Sequence, residues 1–401
     1  MLPGWLRPTT TSQLGQPATV LWPSAPVGDP AARGDPHSRD YVPLPSNRDP
    51  RLLLPVGNRH VAARALHLFA TRSGIYSRLR TTTVSTAFGL GAGALLPGRM
   101  RLHTGVEHAM SEALGQELLL AVHLGPRRAN RKPVLALLSP CGRAVGFGKL
   151  GIDGLTDDLV HAETTVLRRL ATAELADITV PQVLHVGEWN GHPLLVQEAL
   201  PVCAQTGIPS RGQVLWCAAQ IANLAGITQL PLRTSPYLDR LHQRVAALES
   251  GSQAAALSQA LASLPEVSLP FGSWHGDFTR WNVACTPRRS FVWDWERFAP
   301  DVPVGFDVLH FELTEHVRHD APGGVLRWLD GAPQLLDDAR LARLGLAAQH
   351  ARVVMLLYLV ELATRYLHDG QANAGGRLGH LDRWLLPALA RLSEPTALFP
   401  R

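Results

Sequence analysis

Residues 274–298 read W-H-G-D-F-T-R-W-N-V-A-C-T-P-R-R-S-F-V-W-D-W-E-R-F and contain two carboxylates and an amide, Asp277, Asn282 and Asp294. Between Asn282 and Asp294, the apolar triplets V-A-C and F-V-W flank a polar T-P-R-R-S turn, a pattern that predicts an antiparallel hairpin. Because a hairpin returns the chain to its starting level, we expect Asn282 and Asp294 to lie side by side, with Asp277 on the entering loop. Three such oxygen-bearing side chains suit a hard cation such as Mg²⁺.

The order H-x-D-x-x-x-x-N, followed by an Asp after an apolar strand, resembles the catalytic and metal-binding loops of protein kinases. The variant H-G-D-F with D-W-E is similar to the aminoglycoside phosphotransferase and choline kinase family. The residues that match its motifs are His275, Asp277, Asn282, Asp294 and Glu296. The resemblance implies an α+β, protein-kinase-like fold with two lobes: a small antiparallel β-sheet with one key helix, and a larger, mainly helical lobe.

Composition and charge describe a globular protein. The chain has 401 residues, 46% hydrophobic and 18% charged, enough for two or three packed units. Its formal charge of +5 comes without a long basic run, so we expect no nucleic-acid binding. No apolar run approaches the roughly 20 residues needed to cross a bilayer, and we expect no membrane association. Four scattered cysteines and the lack of a signal-peptide pattern predict a cytoplasmic chain.

The chain is expected to divide into four segments. Residues 1–50 hold ten of the 31 prolines and predict an irregular extension. Residues 51–110 form a further, partly helical segment, and neither of these two segments is covered by the resemblance. Residues 111–200 are the expected nucleotide-binding lobe, and residues 201–401 the helical lobe with the catalytic loop, metal and substrate site. A role of the N-terminal extension in binding a protein partner remains open.

Three apolar runs, at 117–124, 133–139 and 143–150, predict a three-stranded meander. The first turn, G-P-R-R-A-N-R-K, takes the place of a kinase phosphate loop but has a single glycine; it either faces a phosphate or is a solvated basic turn. The third strand carries Phe147 and Lys149 on one face by alternation. The resemblance implies that Lys149 binds the nucleotide phosphates and that Phe147 lies against the adenine.

Lys149 is one of only two lysines among 38 basic residues. A helix is expected after it, and Glu163 falls on the apolar stripe of that helix, where an unpaired carboxylate would be costly. The resemblance implies an ion pair between Lys149 and Glu163; the alternative is that Glu163 turns outward into water.

The other site residues follow from position. Backbone groups near Gln197, Glu198 and Ala199 are expected to bind the purine edge at the hinge between the lobes. Asp307 either braces the catalytic loop or caps a helix. Glu296 either contacts a cationic substrate or supports its own loop, and His275 is expected to support the catalytic loop rather than to transfer protons.

The resemblance and the residues together predict an ATP- or GTP-dependent phosphotransferase that acts on a hydroxyl of a small molecule such as a sugar, an amino alcohol or an aminoglycoside-like compound. Asn282 and Asp294 would bind Mg²⁺, and Asp277 would accept the proton or align the hydroxyl. One alternative is a nucleotide-binding scaffold with little catalysis. Another is a protein kinase, which is disfavoured because D-W-E replaces D-F-G.

Overall fold

The structure, a computed structural model, describes residues 15–23, 37–46, 49–69, 83–90, 99–126, 128–173, 175, 177–202, 209–318, 321–375 and 379–393. The chain forms two compact units. The first unit contains Met1–Pro126, Asn130–Arg168 and Pro181–Pro201. The second contains Arg127–Ala129, Arg169–Val180 and Val202–Arg401.

The first unit is built on an eight-stranded sheet with the order β3-β1-β2-β4-β5-β6-β9-β8, in which every neighbouring pair is antiparallel. Its strands are β1 Ser38–Leu44, β2 Leu52–Pro55, β3 Met100–His103, β4 Leu119–His123, β5 Val134–Leu138, β6 Ala144–Leu150, β8 Val183–Trp189 and β9 His192–Glu198. The predicted meander is confirmed as β4, β5 and β6.

The N-terminal segments belong to this sheet, which corrects the expectation of an irregular extension through residue 50. Strands β1 and β2 pair with each other, and β2 continues the ladder to β4. Proline is tolerated in β1 because β3 pairs only with residues 38–41, so Pro43 has a partner strand on one side only among the described residues. Much of the remaining extension, residues 1–14 and 24–36, lies outside the described residues.

Helices cover both faces of the sheet. They are α1 Gln16–Leu21, α2 Arg59–Phe69, α3 Gly105–Leu114 and α4 Gly154–Leu170. Residues of α1 and α3 pack in the cluster on one face, and residues of α2 in the cluster on the other. The sequence pattern predicts that helix α4 begins at Thr156 or Asp157, but it begins at Gly154 because the side chain of Asp153 accepts the N–H of Thr156 at 2.9 Å and so caps the first turn.

The second unit is mainly helical around one large apolar core. Its helices are α5 Arg211–Ala222, α6 Pro236–Ala246, α7 Ser252–Ala262, α8 Phe306–Val317, α9 Ala321–Leu336, α10 Ala339–Arg343, α11 Ala351–His368 and α12 Leu385–Ser393. Its strands are β7 Ile178–Thr179, β10 Thr228–Pro231, β11 Ser268–Trp274, β12 Val283–Cys285, β13 Ser290–Val292 and β14 Ala299–Pro303. The α+β class is confirmed. No helix in the described part of the chain is long and apolar enough to cross a membrane.

The expected boundary of the first lobe differs from the observed one. The sequence predicts one strand over residues 179–187, but β7 ends at Thr179 and β8 begins at Val183. Pro181 lies between them and cannot donate to a ladder. The short β7 pairs with β13, so residues 169–180 belong to the second unit.

Candidate active site

The hairpin of the second unit places Asn282 and Asp294 at the same end, as predicted. Val283 pairs with Val292, and the N–H of Trp293 donates to the carbonyl of Asn282 at 3.1 Å. The second strand lies one residue earlier than the apolar triplet suggests. The N–H of Thr286 donates to the carbonyl of Arg289, which closes a four-residue turn and puts Ser290 opposite Cys285.

The amide of Asn282 is oriented by Asp277. Its Nδ2 donates to both the carbonyl oxygen and the Oδ2 of Asp277, each at 2.9 Å. The nitrogen end is therefore committed to the catalytic loop, and the Oδ1 end is the one that can bind a cation. The hydrogen bond also fixes one of the two carboxylate oxygens of Asp277.

Two carboxylates lie close together just after the hairpin. Oxygens of Asp294 and Glu296 approach within 4.8 Å of each other, and Glu296 is 6% exposed. Asp294 has a φ of 72°, a left-handed conformation that is uncommon outside glycine and that occurs preferentially at functional sites. Carboxylate and amide oxygens are the ligands that a hard divalent cation prefers. The donor set of Asn282, Asp294 and Glu296 therefore fits a hard divalent cation. The burial of Glu296 also favours a role inside the site over direct contact with a cationic substrate.

His275 connects the catalytic loop to the hairpin. Its Nδ1 accepts the N–H of Asp277 at 3.2 Å, so the ring proton lies on Nε2, which donates to the carbonyl of Trp293 at 3.1 Å. Burial lowers the pKa of His275 to about 4, so the ring is neutral. Both ring nitrogens are engaged, which supports the expected role in holding the loop and disfavours a role as a proton carrier.

This neutral histidine predicts a pH effect on stability. Its pKa is lower in the folded protein, about 4, than the ordinary value of 6.5, so its contribution is complete above about pH 6.5 and is lost as the pH falls through 4. We expect the free energy of unfolding to fall less steeply between pH 6.5 and 4 in His275→Asn than in the wild type. Chemical denaturation at a series of pH values measures the two slopes, and equal slopes would contradict the assignment.

Asp307 holds the backbone of the same loop. Its Oδ2 accepts the N–H of His275 at 2.7 Å, and its Oδ1 accepts the N–H of Gly276 at 3.2 Å. Helix α8 is capped by Gly305, so the alternative in which Asp307 caps the helix is wrong. Burial raises the pKa of Asp307 to about 7, against the opposing effect of these two backbone donors. Gly276 is required here, since a Cβ would overlap the carbonyl of Arg297 and its φ is 82°.

Two residues that the sequence analysis did not identify complete the surroundings of Asp277. His310 of α8 lies with Nε2 3.1 Å from Oδ1 of Asp277, and its Nδ1 lies 2.9 Å from the hydroxyl of Tyr358 on α11. Burial lowers the pKa of His310, so the neutral ring donates from Nε2 and accepts the Tyr358 proton at Nδ1. Burial alone would raise the pKa of Asp277, but the hydrogen bond from His310 brings it below its usual value. The carboxylate is thus ionised and fixed at both oxygens.

Arg365 of α11 is the third such residue. Its guanidinium donates to the carbonyl of Gly276 and lies 5.8 Å from the ring of Trp274 and 5.9 Å from that of Tyr366. The signal available in the sequence was weak. His310 follows Asp307 by three residues in the mainly apolar first half of the helix, so the two share a face, but nothing local shows what they contact.

The contact with His310 predicts a defect in turnover. In His310→Leu, Asp277 loses a hydrogen bond to a charged oxygen, which contributes about 1.5–3 kcal/mol. We therefore expect kcat to fall by roughly 10- to 100-fold, with little change in KM for the nucleotide. His310→Gln, which can still donate, should recover part of the loss. Steady-state kinetics of the two variants test this, and equal activity of the leucine variant and the wild type would exclude the role.

The first unit contains the predicted ion pair. Nζ of Lys149 donates to both carboxylate oxygens of Glu163 at 2.6 Å, and the two residues are 4% and 0% exposed. The alternative in which Glu163 turns into water is wrong. Phe147 lies two residues before Lys149 on β6 and is half-buried.

The expected purine-binding backbone has its donors engaged. The N–H of Glu198 donates to the carbonyl of Gln182 at 2.8 Å, and the N–H of Ala199 to that of Val145 at 3.2 Å. A purine edge therefore cannot use these N–H groups unless those bonds break. Gln197, in contrast, is 3% exposed, and its side-chain oxygen has no hydrogen-bond partner among the described residues.

The turn between β4 and β5 is partly held by its own side chains. Nε of Arg131 donates to the carbonyl of Leu124 at 2.8 Å, which closes the turn across its two ends. Arg131 therefore has a structural task, whereas Arg127 lies outside the described residues.

Comparison with known proteins agrees with the chemistry of the candidate residues in each unit. Residues 152–308 match the model of the phosphotransferase enzyme family, abbreviated APH. The match confirms the resemblance drawn from the motifs: over these residues the chain is similar to a family of enzymes that transfer phosphoryl groups. No curated protein sequence matches the chain significantly.

Several solved structures are similar over most of their length. Aminoglycoside phosphotransferase APH(4)-Ia in complex with ADP and hygromycin B is 16% identical over 72% of this chain and 98% of its own, with a TM-score of 0.45. A putative fructosamine-3-kinase from Haemophilus somnus is 16% identical over 72% and 95%, with a TM-score of 0.38. Amicoumacin kinase hAmiN in complex with AMP-PNP, Ca²⁺ and Ami is 12% identical over 74% and 96%, with a TM-score of 0.42.

Proposed function

We propose that this chain transfers the γ-phosphoryl group of ATP or GTP, with Mg²⁺, to a hydroxyl of a small molecule. The observation that carries the proposal is the position of Asp277. Its carboxylate is held at Oδ1 by His310 and at Oδ2 by Asn282, and its backbone N–H is held by His275. A carboxylate fixed at this many points can align an incoming hydroxyl without reorganising, which is the main task of a phosphotransferase.

The remaining roles follow from the chemistry of each group. Lys149, held by Glu163, would orient the phosphates of the nucleotide. Asn282 and Asp294, with Glu296 beside them, would hold the divalent cation, whose charge when bound neutralises that of the phosphates. Asp277 would accept the proton of the acceptor hydroxyl, while Asp307, His275 and Arg365 keep the loop in place.

The acceptor is proposed only as a class: a sugar, an amino alcohol or an aminoglycoside-like compound. Among the tryptophans that could stack on a sugar ring, Trp295 and Trp328 are fully buried and belong to the core. Trp293 and Tyr366 are half-buried in the second unit, and we propose them as the rings that stack on a sugar.

Two measurements test the proposal. The first is the thermal shift with Mg-ATP and Mg-GTP, and the second is a nucleotide-consumption screen over sugars, amines and aminoglycosides. We expect stabilisation by at least one nucleotide and acceptor-dependent consumption with at least one class. A second candidate, a nucleotide-binding scaffold, is favoured by the single-glycine phosphate turn and by the engaged N–H groups of Glu198 and Ala199. It predicts a thermal shift without consumption for any acceptor.

A further inference from the structure

One face of the first unit's sheet carries both Phe147 and Lys149. Phe147 pairs with Ala136, which pairs with Ala121, so these three side chains lie in one row on the same face. Lys149 pairs with Val134, which pairs with His123, and this forms the next row on that face. If Lys149 binds phosphates, the nucleobase belongs on this face as well.

Helix α2, from the segment outside the family match, covers part of the same face. Its buried residues Val61, Ala62 and Ala65 pack in one cluster with apolar residues of β2, β4 and β5. These contacts make α2 a permanent part of the first unit. Phe147, on β6, packs against the same cluster but is only half-buried, so α2 does not cover it completely.

The last residue of α2, Phe69, lies next to Phe147 at the edge of the part of the face that the helix covers. The ring of Phe69 stacks on His123 with centroids 4.9 Å apart, and it meets Phe147 in a T-shaped arrangement at 6.0 Å. All three side chains are partly exposed. Three partly exposed rings on the face of the phosphate-binding lysine form a surface suited to a planar, aromatic ligand.

Gln197 gives the second, independent observation. It pairs with Phe147 across β6 and β9, so its side chain lies on the same face. Its amide oxygen is buried without a hydrogen-bond partner among the described residues, a costly state for a native protein. An amino group on the edge of a nucleobase is a donor that would satisfy it.

We propose that α2 supplies one wall of the nucleobase site, with Phe69 and Phe147 contacting the ring of an aminopurine and the amide oxygen of Gln197 accepting from its amino group. This inference rests on the proposed nucleotide-dependent function and deepens it. The N-terminal segment is then part of the nucleotide site. Side chains recognise the base, because the N–H groups of Glu198 and Ala199 are already engaged in hydrogen bonds within the protein.

The proposed contact between α2 and the nucleobase is tested by calorimetric titration of the full chain with Mg-ATP, together with competition by inorganic tripolyphosphate. Phe69→Ala should weaken Mg-ATP binding by about tenfold, as expected for the loss of part of a stacking surface, and should leave tripolyphosphate binding unchanged because that ligand has no base. Phe69→Leu keeps apolar packing and should show the same selective loss. Leu68→Ala, from the same helical turn and without a ring contact, is the matched control and should bind both ligands as the wild type does.

The proposed hydrogen bond to the amide oxygen of Gln197 is tested with purine riboside triphosphate, which lacks the amino group of the base. The wild type should bind ATP more tightly than this analogue, and Gln197→Leu should lose the preference. Equal ATP binding by Phe69→Leu and the wild type would overturn the inference. Tighter binding by Phe69→Leu would also overturn it, because it would mean that α2 competes with the base. If the wild type binds neither Mg-ATP nor Mg-GTP, the proposed function itself fails, so the two failures are distinguishable.

Discussion

Replacing Asp277 by asparagine is expected to lower kcat by roughly 10²–10⁴-fold, the usual contribution of a positioned general base. The amide keeps the size of the carboxylate. Its oxygen can still accept from Asn282, and its nitrogen can donate to Nε2 of His310 in the other ring tautomer, so the fold of the loop should survive. What is lost is the negative charge that accepts or aligns the hydroxyl proton. Nucleotide affinity should change far less, because the proposed phosphate contacts lie on other residues.

Single-turnover kinetics with an established acceptor measure this effect without interference from product release. Asp239→Asn is the control, since Asp239 is an exposed carboxylate on α6 of the same unit. A full rate of transfer in Asp277→Asn would remove Asp277 from the catalytic machinery. Circular dichroism of the same preparation shows whether Asp277→Asn is folded, which separates a loss of activity from a loss of fold.

Replacing Lys149 by methionine is expected to affect stability and nucleotide binding together. The substitution leaves Glu163, which is 0% exposed, without its cation, and breaking a buried pair in this way costs about 3–5 kcal/mol. Mg-ATP binding should also be lost, because the proposed phosphate ligand is gone. Chemical denaturation and calorimetric titration measure the two effects on one sample.

A double variant separates the two roles of the pair. Lys149→Met with Glu163→Leu removes both buried charges, and we expect the free energy of unfolding to recover most of its loss while Mg-ATP binding stays absent. Arg39→Met is the control, since Arg39 forms a 2.8 Å ion pair with the largely buried Glu107 in the same unit and has no proposed contact with nucleotide. Recovery of ATP binding in the double variant would show that the pair is structural only.

The parts of the site that sequence predicts are those that depend on local pattern. The hairpin follows from two apolar triplets around a polar turn, and the inward direction of Glu163 follows from its place on an apolar stripe. Both are observed. The ends of elements are less well predicted, because they depend on individual hydrogen bonds such as that of Asp153 to Thr156.

The parts that sequence does not predict depend on contacts distant in the chain. His310 and Tyr358 are 48 residues apart, and His310 lies 33 residues from Asp277. Local periodicity does not predict these contacts, because they form only when α8 and α11 pack against each other. The same holds for the N-terminal strands, because the proline-rich composition hides strand β1, whose one proline, Pro43, has a partner strand on one side only among the described residues.

The central claim is phosphoryl transfer to a small-molecule hydroxyl, and the most direct test follows the γ-phosphate itself. The protein is incubated with γ-labelled ATP or GTP, Mg²⁺ and the acceptor panel, and the products are separated and identified by mass. The proposal predicts label on a small-molecule hydroxyl with the wild type and none with Asp277→Ala. Bound nucleotide with no labelled acceptor in the panel, or label that appears only on protein, would contradict it.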